Sequence, residues 1–225
     1  MGILTSKHTD GDNEMNYSFH FPTSKKALII FVRNPELGKC KTRLAKTIGD
    51  ENALEVYKHL LNHTASIAKA IKADRYVFYS DMIIEDDMWD INSFRKKLQK
   101  GDDLGERMRD AFSELLQIGY EKVAIIGSDL LDLDAELVNT AFAQLDFNDV
   151  VIGPATDGGY YLLGMKKLYH QIFENKKWST SSVLKDTLND LQNSKVLLLK
   201  ELNDIDTFED MQHYTELTKL YKPHD

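Results

Sequence analysis

Six short apolar runs, at 27–32, 75–80, 123–126, 150–152, 160–163 and 196–199, are separated by segments with helical spacing. This alternation constrains the fold more than any other feature of the chain. Each run is short, β-favouring and bounded by polar residues, as expected of a buried strand. The segment 50–71 carries Ala53, Leu54, Tyr57, Leu60, Leu61, Thr64, Ile67, Ala68 and Ile71 at helical spacing, with Asp50 as its expected N-cap. A second helix is predicted behind Asp102 or Asp103, with Met108, Ala111, Phe112, Leu115 and Leu116 on one face. A third opens at Asp134, with Leu137, Ala141 and Leu145 inward, and a last one follows Asp206. The stretch 82–100 is acidic and then basic, and supports no element. Strands that alternate with helices imply a mostly parallel sheet with helices on both faces, a three-layer Rossmann-like sandwich. In such sheets ligands sit outside the carboxyl ends of the strands. The loops after Val32, Ile126 and Ile152 are therefore where chemistry is expected.

The 225 residues suffice for one core. Residues 1–24 are polar, without a basic start and apolar stretch, so they do not read as a secretory signal. They are expected to form a flexible leader ahead of a single domain over 25–225. A net charge of −8 argues against a nucleic-acid partner, which would require a basic stripe. No apolar run approaches the length of a membrane span. The single cysteine, Cys40, allows no disulfide within the chain and fits a reducing, cytoplasmic setting.

The loop after the first strand places Arg33, Lys39, Lys41 and Arg43 within eleven residues, around Gly38. Four cations, a flexible glycine and a following helix start make a cradle for a diphosphate. A solvated basic turn is the plainer alternative. The Walker P-loop does not apply. That motif requires Gly where Arg33 stands and Ser or Thr where Cys40 stands.

The third strand ends in Gly127-Ser128-Asp129, and Asp204-Ile205-Asp206-Thr207 follows the last strand. A carboxylate where a buried strand emerges is costly unless it is paired or coordinated. Carboxylates from two loops can converge on a hard cation such as Mg²⁺, which would neutralise a diphosphate. Asp129 could instead cap its loop. Asp206 could cap the last helix, with Glu209 at the capping-box position.

Two further loops carry candidates. Gly101-Asp102-Asp103-Leu104-Gly105-Glu106-Arg107 offers carboxylates and a cation before a helix, with capping of that helix the simpler reading for Asp103. Asp157-Gly158-Gly159-Tyr160 lies between two strands. Its glycines allow a ligand to approach the backbone, and Asp157 could act as a base or bind sugar hydroxyls. Asp-Gly is also a common turn. His59 and His63 have zinc-compatible spacing but lack the Glu of the metalloprotease motif, and a helix flank is the simpler reading. Cys40 has no evident histidine partner. The hydroxyls of 178–182 suit a helix N-cap.

Taken together, these segments resemble the bacterial glycosyltransferase-like proteins of the nucleotide-diphospho-sugar transferase superfamily. The resemblance is carried by Phe31-Val-Arg-Asn-Pro-Glu-Leu-Gly-Lys-Cys-Lys-Thr-Arg-Leu, Asp103-Leu-Gly-Glu-Arg-Met, Ile126-Gly-Ser-Asp, Gly153-Pro-Ala-Thr-Asp-Gly-Gly-Tyr-Tyr-Leu-Leu-Gly and Asp204-Ile-Asp-Thr-Phe-Glu-Asp. It implies a GT-A-like fold and a nucleotide-linked small-molecule substrate. It implies nucleotide binding at the first loop, and Mg²⁺ or Mn²⁺ on Asp129 and Asp206, with Asp204 as rival. The phosphate-binding set expected here is Arg33, Gly38, Lys39, Lys41 and Arg43, with Asp103 and Arg107; catalytic roles are expected of Asp129 and Asp157, and an acceptor near Gly158, Gly159 and Tyr160. Leu131 departs from the Pro usual in the family after the Gly-Ser-Asp motif. The Gly-rich signature of sugar nucleotidyltransferases is replaced by Pro-Glu-Leu-Gly-Lys, which weighs against nucleotidyl transfer.

Overall fold

The computed structural model describes residues 3–6 and 17–221. Two short strands, β1 (Ile3–Ser6) and β2 (Tyr17–His20), pair antiparallel as a separate sheet within the expected leader. Residues 1–2 and 7–16 of that leader lie outside the described residues. Its end is tied down. The carboxylate of Asp74 accepts from the backbone N–H of Thr23 at 2.8 Å and of Ser24 at 3.3 Å.

Among the described residues the main sheet has seven strands. These are β3 (Lys26–Val32), β4 (Asp74–Tyr79), β5 (Arg95–Leu98), β6 (Lys122–Ile126), β7 (Val150–Pro154), β8 (Tyr160–Met165) and β9 (Val196–Leu198). They lie in the order β5-β4-β3-β6-β8-β7-β9. Strand β3 pairs parallel with β4 (Ala27 opposite Asp74) and with β6 (Ala27 opposite Val123). Only β8 runs against its neighbours. The physical reason is the short connection from β7, which is long enough for a hairpin but not for a parallel crossover.

Helices α1 (Thr42–Ile48), α2 (Asp50–Lys69), α3 (Leu104–Ile118), α4 (Ala135–Gln144), α5 (Val183–Asp190), α6 (Phe208–Gln212) and α7 (Thr215–Thr218) complete the layers. Successive β3 side chains face opposite sides of the sheet, as the period of two requires. Leu28, Ile30 and Val32 pack with Tyr57 and Leu61 of α2 and Phe142 of α4. Ala27 and Ile29 pack with Met108, Phe112 and Leu115 of α3. A third cluster joins Leu44 and Ile48 of α1 to Val56, Leu60, Ile205 and Met211.

Two sequence expectations need correction. The stretch 82–100 contains β5, whose Arg-Lys-Lys-Leu sequence carries no apolar pattern because it is an edge strand, where charge is tolerated. Its Lys96 is nevertheless buried, donating to Ile84 O at 2.7 Å and Asp87 Oδ1 at 2.8 Å. Asp50 is the first residue of α2 rather than its cap, which is Gly49 at φ 81°. The helix start expected behind the basic loop is that of α1. Among the described residues, no helix is long and apolar enough to cross a membrane.

Candidate functional site

The order β4-β3-β6 makes a topological switch point. The chain leaves β3 toward β4 on one side and returns to β6 on the other. Open α/β sheets form a crevice at such a point, outside the carboxyl ends of the strands. Lys41 follows β3 and Asp129 follows β6, so the switch point brings their loops together.

Lys41 sits at the centre. Its ammonium lies 2.8 Å from Asp206 Oδ1 and 3.1 Å from Asp129 Oδ2, and its side chain is 4% exposed. Arg43 pairs with the other oxygen of Asp206 from the open side, with 60% of its side chain exposed. Local structure explains why Lys41 turns inward while Lys39 and Arg43 do not. Lys41 is the N-cap of α1 and takes the left-handed conformation, φ 50°, rare for a residue with a side chain. Leu44 and Ile48 anchor α1 in the third core cluster. Lys39 points out and pairs with Glu36 at 2.6 Å.

The two acidic loops are held in register by backbone. Ile205 N–H donates to Asp129 O at 3.0 Å, and the Ile205 side chain is fully buried. Asp206 is not the helix cap. Thr207 caps α6 in a capping box with Asp210, one residue later than the Asp206–Glu209 alternative. That shift leaves the Asp206 carboxylate to Lys41 and Arg43. Burial alone would raise the Asp206 carboxyl, but these two cations outweigh it and hold it below the usual carboxylate range. Asp204 goes the other way. Burial, then the negative charges of Asp129, Asp157 and Asp206, push it up to about 7. The Lys41 ammonium is held above its ordinary value. Burial opposes this, but the charges of Asp129 and Asp206 prevail.

The donor set here is all oxygen, which fits a hard divalent cation. Two oxygens from separate carboxylates already bracket one positive nitrogen within 3.1 Å. Among the described residues, no three His, Cys, Asp or Glu side chains form a ready metal cage. His63 Nε2 bonds Leu133 O at 3.1 Å, and His59 lies 3.9 Å from Glu216, so this pair is divided between two neighbours. Cys40 is buried, and burial pushes its thiol up, away from nucleophilic use.

Other expected residues fall into two groups. Arg33 is exposed at the same loop, its backbone N–H donating to the Tyr57 hydroxyl at 2.9 Å. Gly38 has φ 73°, which explains the glycine. Asp157 is exposed and accepts from Gly159 N–H at 2.8 Å, and its charge reaches Asp204. Gly158, at φ 89°, packs directly against the backbone of Ser181. Asp103 caps α3, accepting from Glu106 N–H at 2.8 Å. Arg107 is tethered to Gly101 O at 3.0 Å, beside Gln99. Tyr160 packs against the core on the α3 side, with its hydroxyl buried.

Sequence reasoning missed three supports. The Tyr57 hydroxyl also donates to Arg33 O at 3.1 Å, so it clamps the start of the basic loop. Buried Asn34 donates to Met82 O at 2.8 Å and accepts from Asp81 N–H at 3.0 Å, joining the loops after β3 and β4. Gln99 donates to Val32 O at 3.1 Å and Phe78 O at 2.9 Å, closing the ends of those strands. Asn34-Pro35 directly after a strand was a usable signal for the second. Nothing local marked Gln99.

The bacterial family described as "Uncharacterized protein conserved in bacteria (DUF2064)" matches residues 63–180, more than half of the chain, which therefore belongs to it. Among solved structures, the chain is similar to a protein from Desulfovibrio desulfuricans G20 provisionally assigned as a nucleotide-diphospho-sugar transferase. Identity is 28% and the TM-score 0.77, over 90% of this chain and 100% of that one. Its fold is also similar to that of CMP:2-keto-3-deoxy-manno-octonic acid synthetase complexed with CTP. Identity there is 12% and the TM-score 0.55, over 87% and 99% of the two chains. A manganese complex of Rv0371c from Mycobacterium tuberculosis H37Rv shares the fold at 12% identity and TM-score 0.53, over 85% and 97%. No curated protein matches the chain.

Proposed function

We propose, taking membership of the DUF2064 family as the premise, that the protein is a metal-dependent transferase whose donor is a nucleotide-diphospho-sugar. The observation that carries this reading is the convergence of Lys41, Asp129 and Asp206 at the switch point. The likeness to the Desulfovibrio protein supports the donor class. The manganese complex of a similar fold supports the metal.

In this reading residues 25–225 act as one domain, with 1–24 as an appendage. Lys39, Lys41 and Arg43 bind the diphosphate, with Arg33 and the Gly38 backbone at its edge and Arg107 across the crevice. Asp129 and Asp206 hold Mg²⁺ or Mn²⁺, with Asp204 as the alternative second ligand. When bound, the metal supplies neutralisation of the charge that develops on the diphosphate leaving group. Asp157, exposed beside the acidic group, takes the acceptor's proton, with the acceptor lying along the loop of Gly158 and Gly159.

A panel of nucleotide-diphospho-sugars with Mn²⁺, read by thermal shift and product analysis, tests the proposal. The expected result is a metal-dependent rise in melting temperature and release of a nucleoside diphosphate, with turnover lost in Asp129→Asn. Failure of every donor to shift the protein would sink it. The fold is also that of a CTP-complexed synthetase, so nucleoside triphosphates with phosphorylated acceptors belong in the panel. Inorganic diphosphate as product would identify nucleotidyl transfer instead. Binding without turnover would indicate a nucleotide-binding module.

A further inference from the structure

We infer that Lys41 and the divalent metal are alternative partners of one carboxylate pair, so that substrate phosphate admits the metal by drawing Lys41 away. This rests on the metal-dependent reading above. The Lys41 ammonium lies between Asp129 and Asp206 at 3.1 and 2.8 Å, with its side chain almost wholly buried. Mg²⁺ requires its oxygens at about 2.0–2.1 Å and tolerates no competing cation among them. The two positive centres cannot share that space.

The balance of charge points the same way. Asp206 is already satisfied by Lys41 on one oxygen and Arg43 on the other, so the pair offers a metal little uncompensated charge. Removing the ammonium without replacement would leave two close carboxylates partly buried, which is strongly unfavourable. Something must enter as Lys41 leaves. A diphosphate at the basic loop gives the ammonium a new acceptor, and the divalent cation takes its former place.

Lys41 presents its ammonium from a left-handed backbone at φ 50°, and Gly38, three positions earlier, takes φ 73°. Phosphate and metal then reinforce each other's binding, and the coupling is reciprocal.

The test is Mn²⁺ affinity, measured by electron paramagnetic resonance and calorimetry without nucleotide, in wild type, Lys41→Met and Lys41→Met/Asp129→Asn. Lys41→Met is expected to bind Mn²⁺ at least about ten-fold more tightly than wild type. It should also melt lower than wild type without metal and recover with Mn²⁺. The double variant should lose the gain. Lys41→Gln, checked by circular dichroism, repeats the measurement should the Met variant not fold. Equal affinity in wild type and the Lys41 variants overturns the exchange while leaving a metal-dependent transferase intact. Absence of Mn²⁺ binding in all of them overturns both the exchange and the metal, and the donor panel in chelator then decides the transferase reading separately.

Discussion

The Nζ of Lys41 lies 2.8 Å from Oδ1 of Asp206, a residue 165 positions along the chain. Asp129, from a third loop, shares the same ammonium. Lys41 thus joins the loops after β3, β6 and β9 through one buried charge. Arg43 reaches Asp206 from outside, so the two cations differ in what they support.

Arg43→Ala should separate binding from stability. Its side chain is mostly exposed, and such pairs contribute at most about 1 kcal/mol to folding. A charged hydrogen bond to a phosphate is stronger, so donor binding should weaken by about ten-fold. Calorimetric titration beside urea unfolding makes the comparison. A large stability loss with unchanged binding would assign Arg43 to structure instead.

Asp204→Asn should stabilise the metal-free protein at pH 8. The native carboxyl is pushed up to about 7, while an unfolded Asp ionises near 4. The folded state therefore holds a proton that the unfolded state has lost, and stability falls as pH rises from about 4 to 7. The Asn side chain removes that penalty. Melting curves in chelator should show the variant ahead at pH 8, with the gap narrowing toward pH 4. An equal gap at both values would contradict the raised carboxyl.

Asp74→Ala should behave in the opposite sense. Burial would raise this carboxyl, but hydrogen bonds from Thr23 and Tyr120 outweigh burial and bring it below its ordinary value. The Tyr120 hydroxyl donates to it at 2.6 Å. Its contribution is present above the unfolded pKa of about 4 and lost as pH falls through the native value. The variant should lose about 2–3 kcal/mol at pH 7, as the hydrogen bonds from Tyr120 and the Thr23 backbone to this carboxylate are lost. Urea unfolding at pH 7 and at pH 3 checks this, and a gap that widens in acid would refute it.

Gly105→Ala and Gly127→Ala form a matched pair. A Cβ at Gly105 would stand 2.4 Å from Phe173 O and 2.6 Å from Trp178 Cζ2, whereas at Gly127 nothing lies within 4 Å. The first substitution should cost about 2–3 kcal/mol and the second close to nothing. Denaturant midpoints compare them directly. Similar midpoints would mean that the segment carrying Trp178 yields more easily than its packing suggests.

Much of this architecture was legible in local pattern. The runs at 27–32 and 123–126 were legible as strands because they are short, rich in β-branched residues and bounded by polar ones, as buried strands are. Asp134 was legible as a cap, and it accepts from Leu137 N–H at 2.7 Å. β5 was not, because Arg95, Lys96 and Lys97 find their partners outside the strand. Lys97 pairs with Glu114 of α3.

The alternation of strands with helices, and the order of cations after the first strand and carboxylates after later ones, follow from the residues alone. These are properties of short windows, where propensity and periodicity act. Which cation meets which carboxylate is a matter of packing. Lys39, Lys41 and Arg43 look equivalent in the chain, yet one left-handed residue and the burial of Leu44 and Ile48 send Lys41 alone inward. Likewise Thr207, not Asp206, caps α6, and that one-residue difference leaves the Asp206 carboxylate in the crevice. Such choices depend on desolvation and on charges brought together from distant positions, which no local pattern records.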